Sequence, residues 1–455
     1  MIRKDKCKSI VALAVNHAAG RADEIEVTIT GNDIATSRFA CNGMTQNQCP
    51  ERISVSVLVR KDGRQARQET EDYSAEGIRQ VVDGALAAAA LMEPEENLLP
   101  MPGAALVDEL ARRAGAKALR RYHSKTALMS ASDRADCVRA MIDVGKKHGL
   151  TASGVYATGS WFVAIGNSLG VFQYHHESSA ECSVTMEGPT SSGWDKAHAT
   201  DARDFDPVQV AQNAAQTCLR GANPTELQPG HYTVVLAPSA VLDLVSSLWG
   251  DFGGTSVIDQ LSSLTGKVGT KLFGDNITVI DDVYHRLQAG APFDGEGLPR
   301  TRVTLIDRGV VTGLVHSRTS AAKLGVCPTG HSLQQPSSAG EAASNVVISG
   351  GTTSIEDMVK RVKKGVYVTR VWYIRTVDPE TVLLTGMTRD GTFLILDGAI
   401  AGPVKNFRFN VSMHELLRNV LAIGPAVRAA GEEGGPEVVP ALLVANFNFT
   451  EVTKF

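Results

Sequence analysis

One stretch, residues 385–417, constrains the fold of this chain more than any other part of its sequence. It contains two Asp-Gly pairs, Asp390-Gly391 and Asp397-Gly398, on either side of the apolar run Phe393–Leu396. Asp-Gly pairs between apolar runs are strong hairpin signals, because glycine tolerates the positive φ that such turns need. The sequence therefore predicts strands that reverse direction at these pairs, with Ala399–Val404 as a return strand.

The same stretch is predicted to end in a helix. Phe407-Arg408-Phe409-Asn410 precedes Ser412, and the run Glu415-Leu416-Leu417 after it is typical of a helix. A serine just outside a helix commonly accepts a hydrogen bond from one of the first free backbone N–H groups. We therefore expect Ser412 to cap this helix.

A second segment, residues 232–251, also combines a strand with a helix. Thr233–Ala237 is apolar and predicts a strand, and Pro238 follows it. Val241–Trp249 predicts a helix that ends at Gly250, since glycine commonly terminates helices.

In the order of their residues, both segments resemble the C-terminal domain of the TldD/PmbA family of peptidase-related proteins. A third segment is similar to the same family: Gly295, Gly297, Pro299 and Arg300 lead into a predicted strand, turn and strand over 303–315. The resemblance is specific over residues 230–450 and weaker over about 25–220. It implies a β-rich C-terminal domain of the TldD/PmbA type.

The resemblance also identifies a motif that is missing. In the catalytic, TldD-like branch the helix of the second segment carries His-Glu-x-x-x-His. Its imidazoles hold Zn²⁺ with one position open for water, and its glutamate takes the proton of that water. With Gly250 aligned to the glycine of the motif, the corresponding residues here are Ser246, Ser247 and Asp251. The resemblance therefore implies the PmbA, or TldE-like, branch, with no catalytic residue and no metal ligand in this chain.

The function implied by the resemblance is that of a non-catalytic subunit in a cytoplasmic zinc metallopeptidase complex. A TldD-like partner would supply zinc and the chemistry, while this chain would complete the chamber and help to present an unfolded or modified peptide. Peptidase activity is then expected only from the complex. Two alternatives stay open, namely a metallopeptidase in its own right with a relocated site, and a homodimeric peptide-binding protein.

A peptide-binding surface is predicted in the first segment. Glycine and threonine on a turn before a strand can leave backbone N–H and C=O groups open to an extended peptide, which then binds by strand addition. The alternative is a buried hairpin that only stabilises the domain. The candidate substrate-binding residues are Gly386, Thr388, Asp390, Gly391, Thr392 and Phe393.

A relocated metal site would involve His175, His176 and Glu177, the most metal-like cluster in the sequence. These residues lie in a predicted strand, where neighbouring side chains point to opposite faces, so the two histidines cannot easily share one metal. The segment from His176 begins like a zinc-peptidase motif but ends in Glu181. We therefore expect surface or interface histidines, with a metal site as the alternative.

Other polar clusters are expected to be structural or solvated. Arg418 stands where a second histidine would have to follow His414 in a metal motif, so capping and solvation are expected there. The acidic loop residues show no calcium-loop spacing and are expected to be solvated. These acidic residues are Asp281, Asp282, Asp294 and Glu296.

Composition excludes some classes of function. A net charge of −4 and a pI near 6.3 provide no basic field for nucleic acid. The seven cysteines are scattered without a CxxC pair, which favours reduced thiols. No apolar run approaches the ~20 residues of a membrane span. We therefore expect a cytoplasmic protein with neither nucleic acid nor membrane as a partner.

The pattern along the chain predicts an α+β fold. Ile25, Val27 and Ile29 alternate with polar residues, which is typical of a half-buried strand. Strands and helices are grouped and do not alternate as βαβ units, which favours mainly antiparallel sheets. The predicted divisions are an N-terminal region over 1–100 and a middle region over 101–225, together the N-terminal domain, followed by the β-rich C-terminal domain over 226–455.

Overall fold

The computed structural model describes residues 2–453, and its helices and antiparallel sheets confirm the predicted α+β class. Several helices begin at a capping side chain: Ser130 and Asp133, for example, form a reciprocal capping box at the start of the helix that begins at Ala131. The α-helices are α1 (Lys4–Ala18), α2 (Ala75–Ala89), α3 (Ala104–Ala114), α4 (Ser124–Ala127), α5 (Ala131–Lys147), α6 (Pro207–Arg220), α7 (Pro238–Val245), α8 (Gly254–Ile258), α9 (Arg318–Leu324), α10 (Ile355–Lys360) and α11 (Met413–Arg418).

The first sheet has eight antiparallel strands and spans both predicted N-terminal regions. Its strands are β1 (Glu24–Asn32), β2 (Ala35–Ala40), β3 (Gly43–Gln48), β4 (Arg52–Lys61), β5 (Arg64–Thr70), β6 (Thr151–Asn167), β7 (Phe172–Glu187) and β8 (Ser192–Ala199). The long strand β6 pairs with β1 and β2 along one edge and with β7 along the other. Residues from before and after position 100 therefore share one sheet.

Two groups of helices cover this sheet. Ile25, Val27 and Ile29 are buried and share a core with α1 and α2. The prediction of a half-buried strand is wrong, however, because Glu26 and Thr28 on the other face of β1 are buried as well. Helices α5 and α6 bury their apolar faces in a second core with β6 and β7. Each core removes an amphipathic helix face and one face of the sheet from water, which is the main stabilising contribution to such layers.

The second sheet has eleven strands and forms the C-terminal domain. Its strands are β9 (Gly230–Leu236), β10 (Val279–Asp281), β11 (Val303–Asp307), β12 (Val310–Val311), β13 (Val346–Ile348), β14 (Lys364–Asp378), β15 (Leu383–Leu396), β16 (Ala399–Pro403), β17 (Phe407–Ser412), β18 (Val420–Ala429) and β19 (Glu437–Val452). Only β9–β14 and β13–β19 pair in parallel within the described chain. Helix α7 packs on β14 and β19.

One of the two predicted turns in the first segment is correct. Asp397-Gly398 connects β15 to β16 with both residues at positive φ. Asp390-Gly391, by contrast, lies inside the continuous strand β15, so the prediction of a hairpin turn there is wrong. The pair has φ of 52° and 131° and coincides with an irregularity in the pairing of β15 with β14.

The cap predicted at Ser412 is also absent. Its hydroxyl donates to the carbonyl of Thr381 at 2.6 Å and makes no cap to α11. The helix predicted over Val241–Trp249 is divided as well, since α7 ends at Val245 and a 3₁₀ helix continues over Ser246–Phe252. The long strands β6 and β7 are continuous, and their mutual pairing includes Gly154 and Gly159.

Hydrogen bonds from arginine side chains to backbone carbonyls join the two domains. Arg67 on β5 donates to Gln335 O at 2.5 Å, and Arg121 donates to Val283 O at 2.6 Å. Arg318 of the C-terminal domain donates to Pro100 O at 2.6 Å. No helix within residues 2–453 is long and apolar enough to cross a membrane.

Candidate functional site

The two serines at the motif positions are committed to their own helix. Ser246 is half-buried, and its hydroxyl donates to Asp243 O at 3.2 Å. Ser247 is exposed and donates to Leu244 O at 2.8 Å. Hydroxyls that bond to the preceding turn in this way compete with the regular helix ladder, which is consistent with the 3₁₀ geometry that starts at Ser246.

Asp251, the third motif position, belongs to a polar network. Its carboxylate accepts a hydrogen bond from Ser263 N at 3.2 Å and another from the Ser263 hydroxyl. The same hydroxyl lies 3.0 Å from His414 Nε2. Burial raises the pKa of Asp251, although the hydrogen bonds from Ser263 oppose this. Asp251 is thus held by serine and histidine contacts within the fold.

His414 is buried, so the expectation that it is solvated is wrong. Its ring packs edge-on against Phe273, with 5.8 Å between the ring centroids. Burial, assisted by the positive charges of Lys267 and Arg418, lowers the pKa of His414 to about 4. The imidazole is therefore neutral at physiological pH. Sequence reasoning found Asp251 and His414 separately but had no signal for Ser263, which links them.

The residues present do not fit the zinc site of the family's catalytic branch. Two hydroxyls that are already bonded to helix carbonyls, together with one carboxylate, replace two imidazoles and a glutamate base. Zinc sites in proteins use imidazole, thiolate and carboxylate ligands, and neutral serine is not among them. Within residues 2–453, no group of three or more His, Cys, Asp or Glu side chains is arranged to hold a metal ion.

His175 and Glu177 lie on one face of β7, and His176 lies on the other, as expected for a strand. His175 Nε2 is 3.2 Å from Glu177 Oε2, and both side chains are buried. Glu177 also accepts a hydrogen bond from Gly290 N of the C-terminal domain at 3.0 Å. The pair thus lies at the contact between the two domains of this chain and is not exposed at the surface.

His176 is surrounded by aromatic rings on the opposite face of β7. Its ring centroid is 4.2 Å from that of Tyr122 and 6.4 Å from that of Tyr174. Burial lowers the pKa of His176, and its Nε2 has no hydrogen-bond partner within the described chain. The two histidines do not converge on a common ligand position.

The acidic loop residues are also buried, so the expectation that they are solvated is wrong for Asp281, Asp294 and Glu296. Asp281 accepts hydrogen bonds from His331 Nε2 at 3.0 Å and from two backbone N–H groups. Asp294 accepts three backbone N–H groups, and burial raises its pKa. Glu296 pairs with Arg318 at 2.7 Å. Backbone N–H groups, both near and distant in the sequence, and the side chains of His331 and Arg318 satisfy these carboxylates.

The predicted substrate-binding residues lie along β15 and are buried. Gly386 pairs with Phe409 of β17, and Phe393 pairs with strands on both of its sides. The hydroxyls of Thr388 and Thr392 donate to Asn406 Oδ1 at 3.3 and 2.9 Å. Strand addition at Phe393 would need an edge that other strands already occupy.

Three of these residues, Asp390, Gly391 and Thr392, border a cleft of about 440 Å³ between the two domains. Asp390 is 4% exposed, and its carboxylate accepts a hydrogen bond from Arg370 at 2.5 Å and another from Ser192 of the N-terminal domain. Hydroxyl, amide and backbone groups supply most of the polar lining of this inter-domain cleft. The lining also includes the charged side chains of Glu187 and Lys405.

Comparisons with known proteins agree with this architecture. A family model described as PmbA/TldA metallopeptidase C-terminal domain matches residues 229–451. The chain is 24% identical over 452 residues to the metalloprotease PmbA of Escherichia coli O157:H7, covering 96% of this chain and 95% of that protein. It is 26% identical over 224 residues to the metalloprotease TldD homolog of Buchnera aphidicola subsp. Acyrthosiphon pisum, covering 47% of this chain and 45% of that protein.

The fold is shared with a solved structure, that of TldE from Thermococcus kodakarensis. The two superpose with a TM-score of 0.84 at 19% identity, covering 97% of this chain and 99% of that one. The correspondence therefore includes the N-terminal sheet as well as the C-terminal domain.

Proposed function

This chain belongs to the PmbA/TldD family of metallopeptidases, and from that membership we propose that it is a non-catalytic, TldE-like subunit of a zinc metallopeptidase complex. The proposal rests on the residues at the three zinc-motif positions, 246, 247 and 251, and on their hydrogen bonds. Ser246 and Ser247 bond to helix carbonyls, and Asp251 bonds to Ser263. A chain with these groups at the ligand and base positions needs a partner to supply the metal.

The extent of the similarity to relatives supports the choice of branch. The likeness to a PmbA and to a TldE fold runs over almost the whole chain. The likeness to a TldD homolog covers 47% of it. The N-terminal domain thus resembles the PmbA and TldE proteins, which favours a partner role over a catalytic one.

In the proposed complex, the TldD-like partner binds zinc and hydrolyses the peptide bond, and this chain completes the chamber in the cytoplasm. Asp390, Gly391 and Thr392 would contact the unfolded or modified peptide at the inter-domain cleft. Gly386, Thr388 and Phe393 would act only by holding β15 in place, since they lie inside the sheet.

The test is to purify this chain alone and together with a TldD-like protein, and to measure zinc and hydrolysis of an unfolded peptide. We expect no stoichiometric zinc in this chain alone, co-elution of the two proteins on gel filtration, and activity only in the complex. A complex in which the partner's motif glutamate is replaced by glutamine is the negative control.

Two outcomes would contradict the proposal in different ways. About one zinc per isolated chain with chelator-sensitive hydrolysis would establish an enzyme in its own right. Separate elution at micromolar concentration, with a TldD-like protein that is fully active alone, would leave the homodimeric peptide-binding protein as the better description.

A further inference from the structure

Strands β17 and β19 pair over only part of their length and then separate. The last residues to pair between them are Phe409 and Phe449. Beyond that point, within residues 2–453, each strand is paired along only one of its edges. Strand β17 pairs with β15 over Asn410–Ser412, and β19 pairs with β9 at Phe447 and Asn448. The other edges of both segments face a cleft of about 260 Å³. We call this space the β17–β19 cleft.

The β17–β19 cleft is lined by amide side chains that the fold does not use. Asn410 Oδ1 is buried and has no hydrogen-bond partner in the described chain. Asn419, Asn446 and Asn448 also line the cleft, and their side chains make no hydrogen bond to the rest of residues 2–453. Asn410 Oδ1 is enclosed by the fold, so the group that the Asn410 amide presents to the cleft is its N–H donor.

The backbone of β19 opens the cleft. Asn446 has a left-handed φ of 61° at an irregularity in the pairing between Val444 and Phe447. Such a bulge bends a strand and re-aims the side chains next to it. The floor that results is apolar, with Val411, Leu416 and Phe447 among its residues.

We propose that the β17–β19 cleft binds a short extended peptide segment. Two strand edges with open backbone groups and a set of uncommitted primary amides both complement the N–H and C=O groups of an extended chain. Asn410 Nδ2 would donate to a backbone C=O of the peptide, and apolar side chains would lie on the floor. The volume of about 260 Å³ is slightly below the usual range of ligand sites, roughly 300–1,000 Å³, which fits a segment of only a few residues.

This inference rests on the proposed function only in assigning a peptide as the ligand, and it places that ligand away from the inter-domain cleft. The inter-domain cleft differs in chemistry, because its side chains Ser192, Asp390, Thr392 and Asn406 are already bonded to one another or to Arg370. The asparagine amides of the β17–β19 cleft instead make no side-chain hydrogen bonds to the described chain. This cleft is therefore the stronger candidate for a second peptide contact.

The test titrates the capped tripeptide acetyl-Ala-Ala-Ala-amide, up to about 10 mM, into this chain alone by calorimetry, with maltotriose as the comparison ligand. We expect the wild type to bind the peptide and Asn410→Leu to bind it about tenfold more weakly, since the leucine cannot donate to the peptide C=O. Asn448→Leu should weaken binding as well. Asn16→Leu is the matched control, because Asn16 is exposed on α1 and far from the cleft in the sequence and the fold.

A thermal melt of each variant separates loss of binding from loss of folding. Asn410→Leu removes an unpartnered buried amide, so we expect its melting temperature to stay the same or to rise. Equal peptide affinity of wild type and Asn410→Leu, no peptide binding by the wild type, or binding of maltotriose in place of the peptide would each overturn the proposal. Because no partner protein is present, the result is independent of whether a TldD-like subunit is needed for hydrolysis.

Discussion

Glu437 accepts a 2.8 Å hydrogen bond from the indole N–H of Trp249, which joins the first residue of β19 to the 3₁₀ turn after α7. Burial raises the pKa of the Glu437 carboxyl to about 8, although the bond from Trp249 opposes this. The side chain is therefore largely protonated in the folded protein at neutral pH, whereas it ionises near 4.5 when the chain is unfolded.

This contact predicts a pH dependence of stability. Because the folded pKa lies above the unfolded value, the folded state binds more protons between pH 4.5 and 8, and the free energy of unfolding falls as pH rises through that window. Glu437→Gln stays neutral and should be more stable than wild type at pH 8, by on the order of 2 kcal/mol. Urea unfolding at pH 5 and pH 8, followed by tryptophan fluorescence, measures the difference. The exposed Glu380→Gln is the control, and an equal pH slope in wild type and Glu437→Gln would refute the assignment.

Gly391→Ala should destabilise the protein through the bulge in β15. A Cβ at this position would lie 2.3 Å from Thr369 Oγ1, and φ is 131°, a region that residues with side chains rarely adopt. We expect a loss of about 1–3 kcal/mol, from backbone strain and overpacking. Gly402→Ala on the neighbouring strand β16 is the matched control, because open space surrounds its Cβ position. Similar melting temperatures for the two variants would show that the bulge does not require glycine.

Ser263→Ala should cost more stability than Ser247→Ala. The Ser263 hydroxyl bridges Asp251, which is half-buried, and His414, which is buried. Its removal leaves both polar groups without that partner, at a cost of about 1–3 kcal/mol. Ser247 is exposed and bonds only to a helix carbonyl, so its replacement should have little effect. Equilibrium unfolding of the two variants at pH 7 gives the comparison. A larger loss of stability for Ser247→Ala would mean that the hydrogen bond of Ser247 to its own helix, and not the Asp251 network, stabilises this part of the fold.

The histidines of β7 should be dispensable for chemistry. His175→Ala removes the neighbour of buried Glu177 at the domain contact, and His176→Ala removes a ring stacked near Tyr122. We expect lower stability for His175→Ala, but unchanged zinc content and unchanged peptidase activity per assembled complex for both variants. Loss of activity from a complex that still assembles and melts normally would revive the relocated site.

The sequence was informative where a structural requirement is local. The strand at Ile25, Val27 and Ile29 and the turn at Asp397-Gly398 depend on residues next to one another, and both form as predicted. The burial of Glu26 and Thr28 on the other face of the strand was not predicted. The absence of histidine and glutamate at the zinc-motif positions 246, 247 and 251 likewise follows from the sequence alone.

Predictions failed where the deciding contact comes from a distant segment. The Asp390-Gly391 pair has the positive φ values that its residue types favour, but Thr369 on β14 donates to both of its carbonyls and keeps it within a strand. Ser412 bonds to Thr381 and not to its own helix. The carboxylate of Asp281 is buried where backbone N–H groups 63 and 64 residues away in the sequence donate to it. Single-sequence reasoning has no access to these partners.

The position of β6 has a consequence for how the chain folds as it is synthesised. Glu26 of β1 pairs with Asn167 of β6, so the first hundred residues leave the ribosome long before the strand that completes their sheet. Until β6 emerges, β1 and β2 expose an unpaired edge, and contacts so far apart in sequence form slowly. We expect a chain released near residue 100 to bind chaperones or to aggregate, and the supply of folded protein in the cell to depend on completing translation through β6 and β7.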